Sequence, residues 1–216
     1  MVRQAALISV WLLLIGSTGG CEDTGSAPTS GDNQLFSEAI ARAFAFGDTA
    51  TVDVESFVGN VTIRPGGSDS IRINATKRAA ASADLGLIEF TTTEQEGEIR
   101  IRAENPANRP NASIDIDITA PPGARMDVGL GVGNISYTGR AGGENRFAAG
   151  VGSIILVLPA NVNIKVELAA GSGSITLEFA VVGQITTTTV NGTIGTGNEG
   201  RIQASVGVGE IRLVRG

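Results

Sequence analysis

One short phrase recurs along the second half of the chain and limits what it can fold into. Gly131-Val-Gly-Asn-Ile135 returns as Gly150-Val-Gly-Ser-Ile154, Gly171-Ser-Gly-Ser-Ile175, Val190-Asn-Gly-Thr-Ile194 and Gly207-Val-Gly-Glu-Ile211. The central glycines, Gly133, Gly152, Gly173, Gly192 and Gly209, stand 19, 21, 19 and 17 residues apart. A period held five times marks a repeat architecture. Each phrase reads as a turn followed by a strand. After the glycine, aliphatic residues alternate, as in Ile154, Leu156 and Leu158, Ile175, Leu177 and Phe179, or Ile211 and Leu213. Alternate strand residues share one face. Second runs follow at Ile164, Val166 and Leu168, at Ile185, Thr187 and Thr189, and at Ile202, Ala204 and Val206.

A unit of two short strands and two turns cannot bury its apolar face alone. Stacking one rung on the next, about 4.8 Å apart, buries a continuous core and pairs the backbone. The expected fold is therefore all-β, a single-domain parallel β-helix or solenoid with rungs of about 20 residues. The alternative is an antiparallel β-sandwich, whose short strands also recur regularly. The glycine phrase marks every second strand, and a hairpin stack has no reason to mark alternate turns alike.

The first half carries the phrase at wider spacing. Gly59-Asn-Val-Thr-Ile63 and Gly97-Glu-Ile-Arg-Ile101 stand 38 residues apart, and Gly133 follows after 36. Both gaps read as double rungs. Residues 41–46 suit an early capping strand, although Phe36, Ile40 and Phe44 also fit one helical face. Residues 51–57 form a strand with Val52 and Val54 on one side and Asp53 and Glu55 on the other. Ile71 and Ile73 supply a return strand after the 65–67 turn, 77–85 a short helical turn, and 105–111 a loop with two prolines. Residues 113–119 alternate with Ile114, Ile116 and Ile118 inward, Asp115 and Asp117 outward. After Val214 only Arg215 and Gly216 follow. The last rung is expected at an exposed edge, or shielded by an N-terminal segment or a neighbour, and open to end-to-end self-association.

Composition narrows the function classes. The net charge is −6, so nucleic acid is not an expected partner. There is no histidine, which removes the commonest general base and metal ligand. The single cysteine, Cys21, excludes an intrachain disulfide and any multi-cysteine metal site. Residues 1–20 read as a signal peptide, with Arg3 as the positive n-region, Ala5 to Ile15 as the apolar run and small residues from Gly16 to Gly20. Thr18-Gly-Gly-Cys21 resembles the lipobox of bacterial lipoproteins, departing at Thr18, where leucine is usual. That resemblance implies a lipidated Cys21 and a mature chain that starts there. Residues 21–33 lack apolar periodicity and read as a disordered tether, leaving 34–216 as the folded domain.

Taken together, the Gly59–Ile63 phrase, the Ile114–Gly123 strand running into a Pro-Pro-Gly turn, and the final Gly209–Leu213 strand resemble the bacterial putative-adhesin family, whose members carry a glycine-rich β-solenoid. The resemblance covers about residues 40–216 and implies that fold at the cell envelope. The expected function is a lipid-anchored envelope protein with a non-catalytic binding or scaffold role. Its partners would be the membrane, through lipid on Cys21, and an envelope protein or glycan, with the domain outside the cytoplasm.

The alternative is a carbohydrate-active β-helix enzyme acting on envelope or extracellular polysaccharide, with Asp115 and Asp117 as its carboxylates. A solvated strand face explains the same Ile/Asp alternation. No cofactor and no metal are expected. The residues after the repeat glycines, Asn134, Ser153, Ser174, Thr193 and Glu210, do not supply the aspartates of Ca²⁺-binding glycine repeats. Thr186 to Thr189 read as β-branched strand residues on one rung.

Overall fold

The computed structural model describes residues 35–46 and 50–216, within the compact unit Asn33–Gly216. The signal peptide 1–20, Cys21 and the tether 21–33 lie outside the described residues.

Twelve strands and one helical turn follow in chain order. They are β1 (Phe36–Ala45), β2 (Thr51–Pro65), β3 (Ser70–Ala79), α1 (Ser82–Leu85), β4 (Glu89–Gln95), β5 (Glu98–Glu104), β6 (Ser113–Ala120), β7 (Arg125–Thr138), β8 (Gly143–Leu158), β9 (Ile164–Leu177), β10 (Val182–Ile185), β11 (Thr189–Ile194) and β12 (Gly200–Arg215). The chain is all-β, and its strands join in one sheet ordered β1-β3-β6-β2-β7-β8-β12-β9-β11-β10, with β5 also on β2 and β4 on β5.

Five long strands, β2, β7, β8, β12 and β9, run parallel and in register through the middle. Each turns a corner at its repeat glycine. The first arm of β2, Thr51–Ser56, pairs with β5, whereas its second arm, Val61–Pro65, pairs with β6. The corner glycines stack as one column, Gly59, Gly133, Gly152, Gly209 and Gly173. At Gly152 the backbone adopts φ +141°, and a Cβ there would sit 1.7 Å from the carbonyl oxygen of Gly133. Only glycine meets both demands.

The corner also explains a short return. Parallel neighbours ordinarily need a crossover of about a dozen residues, yet residues 139–142 suffice between β7 and β8. The bend has already carried the end of β7 back toward the start of β8.

Alternation places one side of both arms in the core. Val52, Val54, Ile63, Ile116, Ile135, Ile154, Leu156, Ile164, Val166, Ile202, Ile211 and Leu213 are all buried. The core is aliphatic apart from a few rings, among them Tyr137 and Phe147 with centroids 5.1 Å apart. Asn145 is fully buried at the start of β8. Its Oδ1 accepts from the Met126 amide at 3.0 Å and its Nδ2 donates to the Gly142 carbonyl at 3.3 Å. This side chain continues the β7–β8 ladder one step beyond its last backbone pair.

Several expectations are corrected. The sheet is mixed rather than all-parallel, because antiparallel pairs finish both ends: β1 with β3, β3 with β6, β4 with β5, β9 with β11 and β10 with β11. The rungs do not stack in chain order. β12 lies between β8 and β9 and pairs with both, so the last rung is central and not at an edge. The β10–β11 hairpin occupies the far side of β9, leaving its near side for β12.

Gly97 is no corner. With Glu96 at φ 48° and Gly97 at φ 90°, it makes the tight turn between β4 and β5. Gly192 stands opposite Gly183 and Val166, off the glycine column. Thr186 to Thr189 close the turn into β11, with the Thr186 amide donating to the Thr189 carbonyl at 2.8 Å, so Ile185, Thr187 and Thr189 are not one strand run. Phe36, Ile40 and Phe44 do share a face, but of a strand: a spacing of four satisfies a period of two as well as one of 3.6.

Tyr137, the chain's single tyrosine, gives a direct readout of this core. Its hydroxyl donates to the Arg140 carbonyl at 2.7 Å, and burial pushes its pKa up to about 12. Because the folded value lies above the ordinary value of about 10, the associated stability is intact below pH ~10 and is lost as pH rises toward 12, on the order of 3 kcal/mol in all. Absorbance titration at 295 nm should show tyrosinate forming with a midpoint near 12; a midpoint near 10 with the β-structure intact would contradict the buried placement.

Candidate functional site

The outward side chains of the first arms form a continuous polar row. The register places Arg100 of β5 beside Asp53 of β2, then Asp127 of β7, Arg146 of β8, Gln203 of β12, Glu167 of β9 and Asn191 of β11. At strand spacings of ~4.8 Å this row is about 29 Å long. The next outward row, two residues along each strand, is small: Gly129, Ala148, Ser205 and Ala169, closed at one end by Thr189. The polar row from Asp127 to Asn191 and the small residues Ala148, Ser205 and Ala169 line an open groove of ≈ 440 Å³. Phe147, Leu168 and Val190 border it only from beneath, as core residues.

The polar row is hydrogen-bonded in two stretches, Arg146–Gln203–Glu167 and Arg100–Asp53. Arg146 Nε donates to Gln203 Oε1 at 3.0 Å, and Gln203 Nε2 donates to Glu167 Oε2 at 2.9 Å. The Arg201 guanidinium pairs with the other oxygen of Glu167. Arg146 also pairs with Glu144 at 3.1 Å. These donors, Arg201 first and then Gln203, hold the Glu167 carboxyl below its ordinary range.

At the other end Asp53 accepts from Arg102 at 2.9 Å and Arg100 at 3.1 Å, while Arg102 reaches Glu55 at 3.0 Å. The hydrogen bond from Arg102 dominates in lowering the Asp53 pKa. Both carboxylates are held ionised, which suits fixed acceptors and not a proton donor. The arrangement offers oriented donors and acceptors beside a floor that lets another chain approach closely.

The carboxylates singled out by the sequence lie elsewhere. Asp115 and Asp117 stand on β6, paired with β3 and the second arm of β2. Asp115 is engaged inside the fold. Arg78 forms an ion pair with one of its oxygens, and the other accepts from the Asn60 amide at 2.9 Å and from Asn60 Nδ2 at 3.0 Å. A polar ladder continues from there, with Asn134 Nδ2 donating to Asn60 Oδ1 at 3.1 Å and Ser153 Oγ donating to Asn134 Oδ1 at 2.7 Å. Asp115 therefore pins a corner. Cys21 lies outside the described residues.

Among the described residues, no three acidic, histidine or cysteine side chains converge as a metal site. No helix among them is long and apolar enough to cross a membrane. The Arg100–Asn191 row was not anticipated. Its signal was present, since Asp53, Asp127, Arg146, Glu167 and Gln203 each stand six residues before a corner glycine.

No family model matches the chain, and no curated protein does. A crystal structure from Clostridium sporogenes, described as a putative cell adhesion protein, is similar with a TM-score of 0.54 at 11% identity, over 83% of this chain and 100% of that one. That likeness establishes a shared fold. A putative adhesin from Parabacteroides merdae aligns at TM-score 0.37 and 10% identity, over 69% of this chain and 66% of its own. A putative lipid binding protein from Parabacteroides distasonis aligns at TM-score 0.28 and 10% identity, over 82% of this chain and 78% of its own.

Proposed function

We propose that this chain is an exported, lipid-anchored envelope protein. In this reading its domain, a β-solenoid whose central rungs are capped by antiparallel strands, binds an extended segment of another envelope molecule without chemical turnover. The observation that carries this reading is the groove along the first arms, where the bonded run Arg146, Gln203 and Glu167 stands above a floor of Ala148, Ser205 and Ala169. A flat floor with oriented donors on one side suits an extended polypeptide lying across the strands; a glycan is the second ligand class. The Clostridium sporogenes protein of the same fold, described as a putative cell adhesion protein, supports a binding role at the surface. The anchor rests on the lipobox-like residues Thr18 to Cys21. A lipoprotein cysteine carries more than one acyl chain, and a single chain would hold only marginally.

The test has two arms. In cells fed labelled palmitate, the full chain is expected to take up label and Cys21→Ser to take up none; equal labelling of both would refute the anchor. Fluorescent domain spanning residues 35–216 is expected to bind isolated envelopes saturably. Ser205→Tyr, which fills the groove floor, is expected to weaken that binding at least tenfold, or about 1.4 kcal/mol. Unchanged binding by the tyrosine variant, or turnover of envelope polysaccharide that disappears when Asp115 and Asp117 become asparagine, would overturn the groove reading.

A further inference from the structure

Independently of the groove, β1 leaves one edge of the sheet open among the described residues. It forms one end of the sheet and pairs with β3 over ten residues without a bulge. Among the described residues nothing pairs with its other edge. The strand reads Phe-Ser-Glu-Ala-Ile-Ala-Arg-Ala-Phe-Ala and contains neither proline nor lysine, the usual guards of an open edge. Leu35 and Phe36 are 45% and 46% exposed.

The parity of the backbone groups is fixed by one bond. The Phe46 amide donates to the Asp69 carbonyl at 3.0 Å, in the pair that continues the β1–β3 register by one step. Antiparallel ladders alternate between bonded and non-bonded pairs. The even-numbered residues of β1 therefore turn their N–H and C=O toward β3. Ser37, Ala39, Ala41 and Ala43 turn theirs to the open edge. The Ala41 carbonyl is reached there only by its neighbour, the Arg42 guanidinium, at 3.0 Å.

We propose that two copies of this domain associate edge to edge through β1, antiparallel, about a two-fold axis at Ile40. In that register Ser37 faces Ala43 of the second copy and Ala39 faces Ala41, so the open N–H and C=O groups meet as bonded pairs. The even residues become non-bonded pairs, whose side chains lie closest. Phe36 then meets Phe44, Glu38 meets Arg42, and Ile40 meets Ile40. Each opposition occurs twice except the last, as a two-fold interface requires. The charges fit what the single copy leaves open. Glu38 already faces Lys77, 3.7 Å away on β3. Arg42 has no carboxylate partner among the described residues and stands opposite Ile73. A second copy completes an alternating row of Lys77, Glu38 and Arg42 on each side of the axis.

The domain spanning residues 35–216 lacks Cys21 and so contains no cysteine. Sedimentation equilibrium from about 1 to 200 µM, a range that brackets micromolar affinity, is expected to show a monomer–dimer equilibrium. Ala41→Pro removes an edge donor without touching the bonds to β3 and is expected to weaken dimerisation at least tenfold with the thermal transition retained. Arg42→Glu is expected to do the same, and adding Glu38→Arg to it to restore the dimer. Ile40→Cys places two thiols across the axis at about 4.5 Å between Cα atoms, within disulfide range. It is expected to crosslink under copper–phenanthroline oxidation. Phe44→Cys, about 27 Å from its counterpart in this register, is expected not to. A wild-type domain that stays monomeric throughout, a proline variant that dimerises as well as wild type, or equal crosslinking at both cysteine positions would each overturn the proposal.

Discussion

A chain stopped after Glu199 is expected not to fold. The lost strand, β12, sits in the middle of the parallel stack, paired in register with β8 from Gly200 to Arg215 and with β9 from Gly200 to Leu213. Its Ile202, Ala204, Val206, Ile211 and Leu213 are buried. Large aliphatic core side chains cost about 2–5 kcal/mol each when truncated, against a total stability of about 5–15 kcal/mol for an ordinary domain. Removing the strand also strips backbone partners from both neighbours at once. Dispersion of amide NMR signals and the loss of a cooperative thermal transition would report the effect. A truncated chain that still melts cooperatively with native-like β signal would show that β8 and β9 close on each other without β12. A stack built in chain order would have predicted that milder result.

The second large effect is expected at the corners. Gly152→Ala places a Cβ 1.7 Å from the Gly133 carbonyl oxygen and 2.7 Å from its carbon, at φ +141°. The obstacle is backbone, and it is held in turn by Gly59, whose oxygen stands 1.7 Å from the equivalent point on Gly133. Neither can yield without moving the column, so a loss of about 4 kcal/mol or more is expected, at the far end of single-substitution effects. Two other glycines separate strain from crowding. Gly97 has φ +90° with no atom within 4 Å of the point a Cβ would occupy, so alanine there should cost only the backbone strain, about 1–3 kcal/mol. Gly142 has neither constraint and should change stability by no more than about 0.5 kcal/mol. Urea midpoints at constant slope order the three. Equal losses at Gly152 and Gly142 would mean that the corner column does not hold the fold.

Much of this architecture is written in local chemistry. The glycine phrase marks real corners at Gly59, Gly133, Gly152, Gly173 and Gly209, and the alternation around Ile114, Ile154, Ile164, Ile202 and Ile211 marks the buried face. What stayed hidden depends on pairing at a distance. Nothing local tells β12 to enter between β8 and β9, since any of these strands offers its neighbour a similar edge. Gly97 carries the same letters as a corner, but a two-residue hairpin needs a left-handed glycine as much as a corner does; Gly192 carries them inside β11, opposite Gly183.

Asp115 looked solvated because Arg78, 37 residues upstream, reaches it only once β3 folds against β6. The polar row was legible as chemistry at a fixed offset from each glycine. Its order across the sheet was not, because that order follows the threading of β12.

That threading bears on when the fold can form, and so on the export route proposed above. Synthesis delivers residues from the N-terminus onward, and β8 ends at Leu158, well before Gly200 appears. Until residues 200–215 emerge, the slot beside β8 has no occupant and the sheet cannot close. Such distant pairing is slow to form. On the proposed route the chain would cross as a thread, and a molecule whose keystone is made late remains a thread for longer.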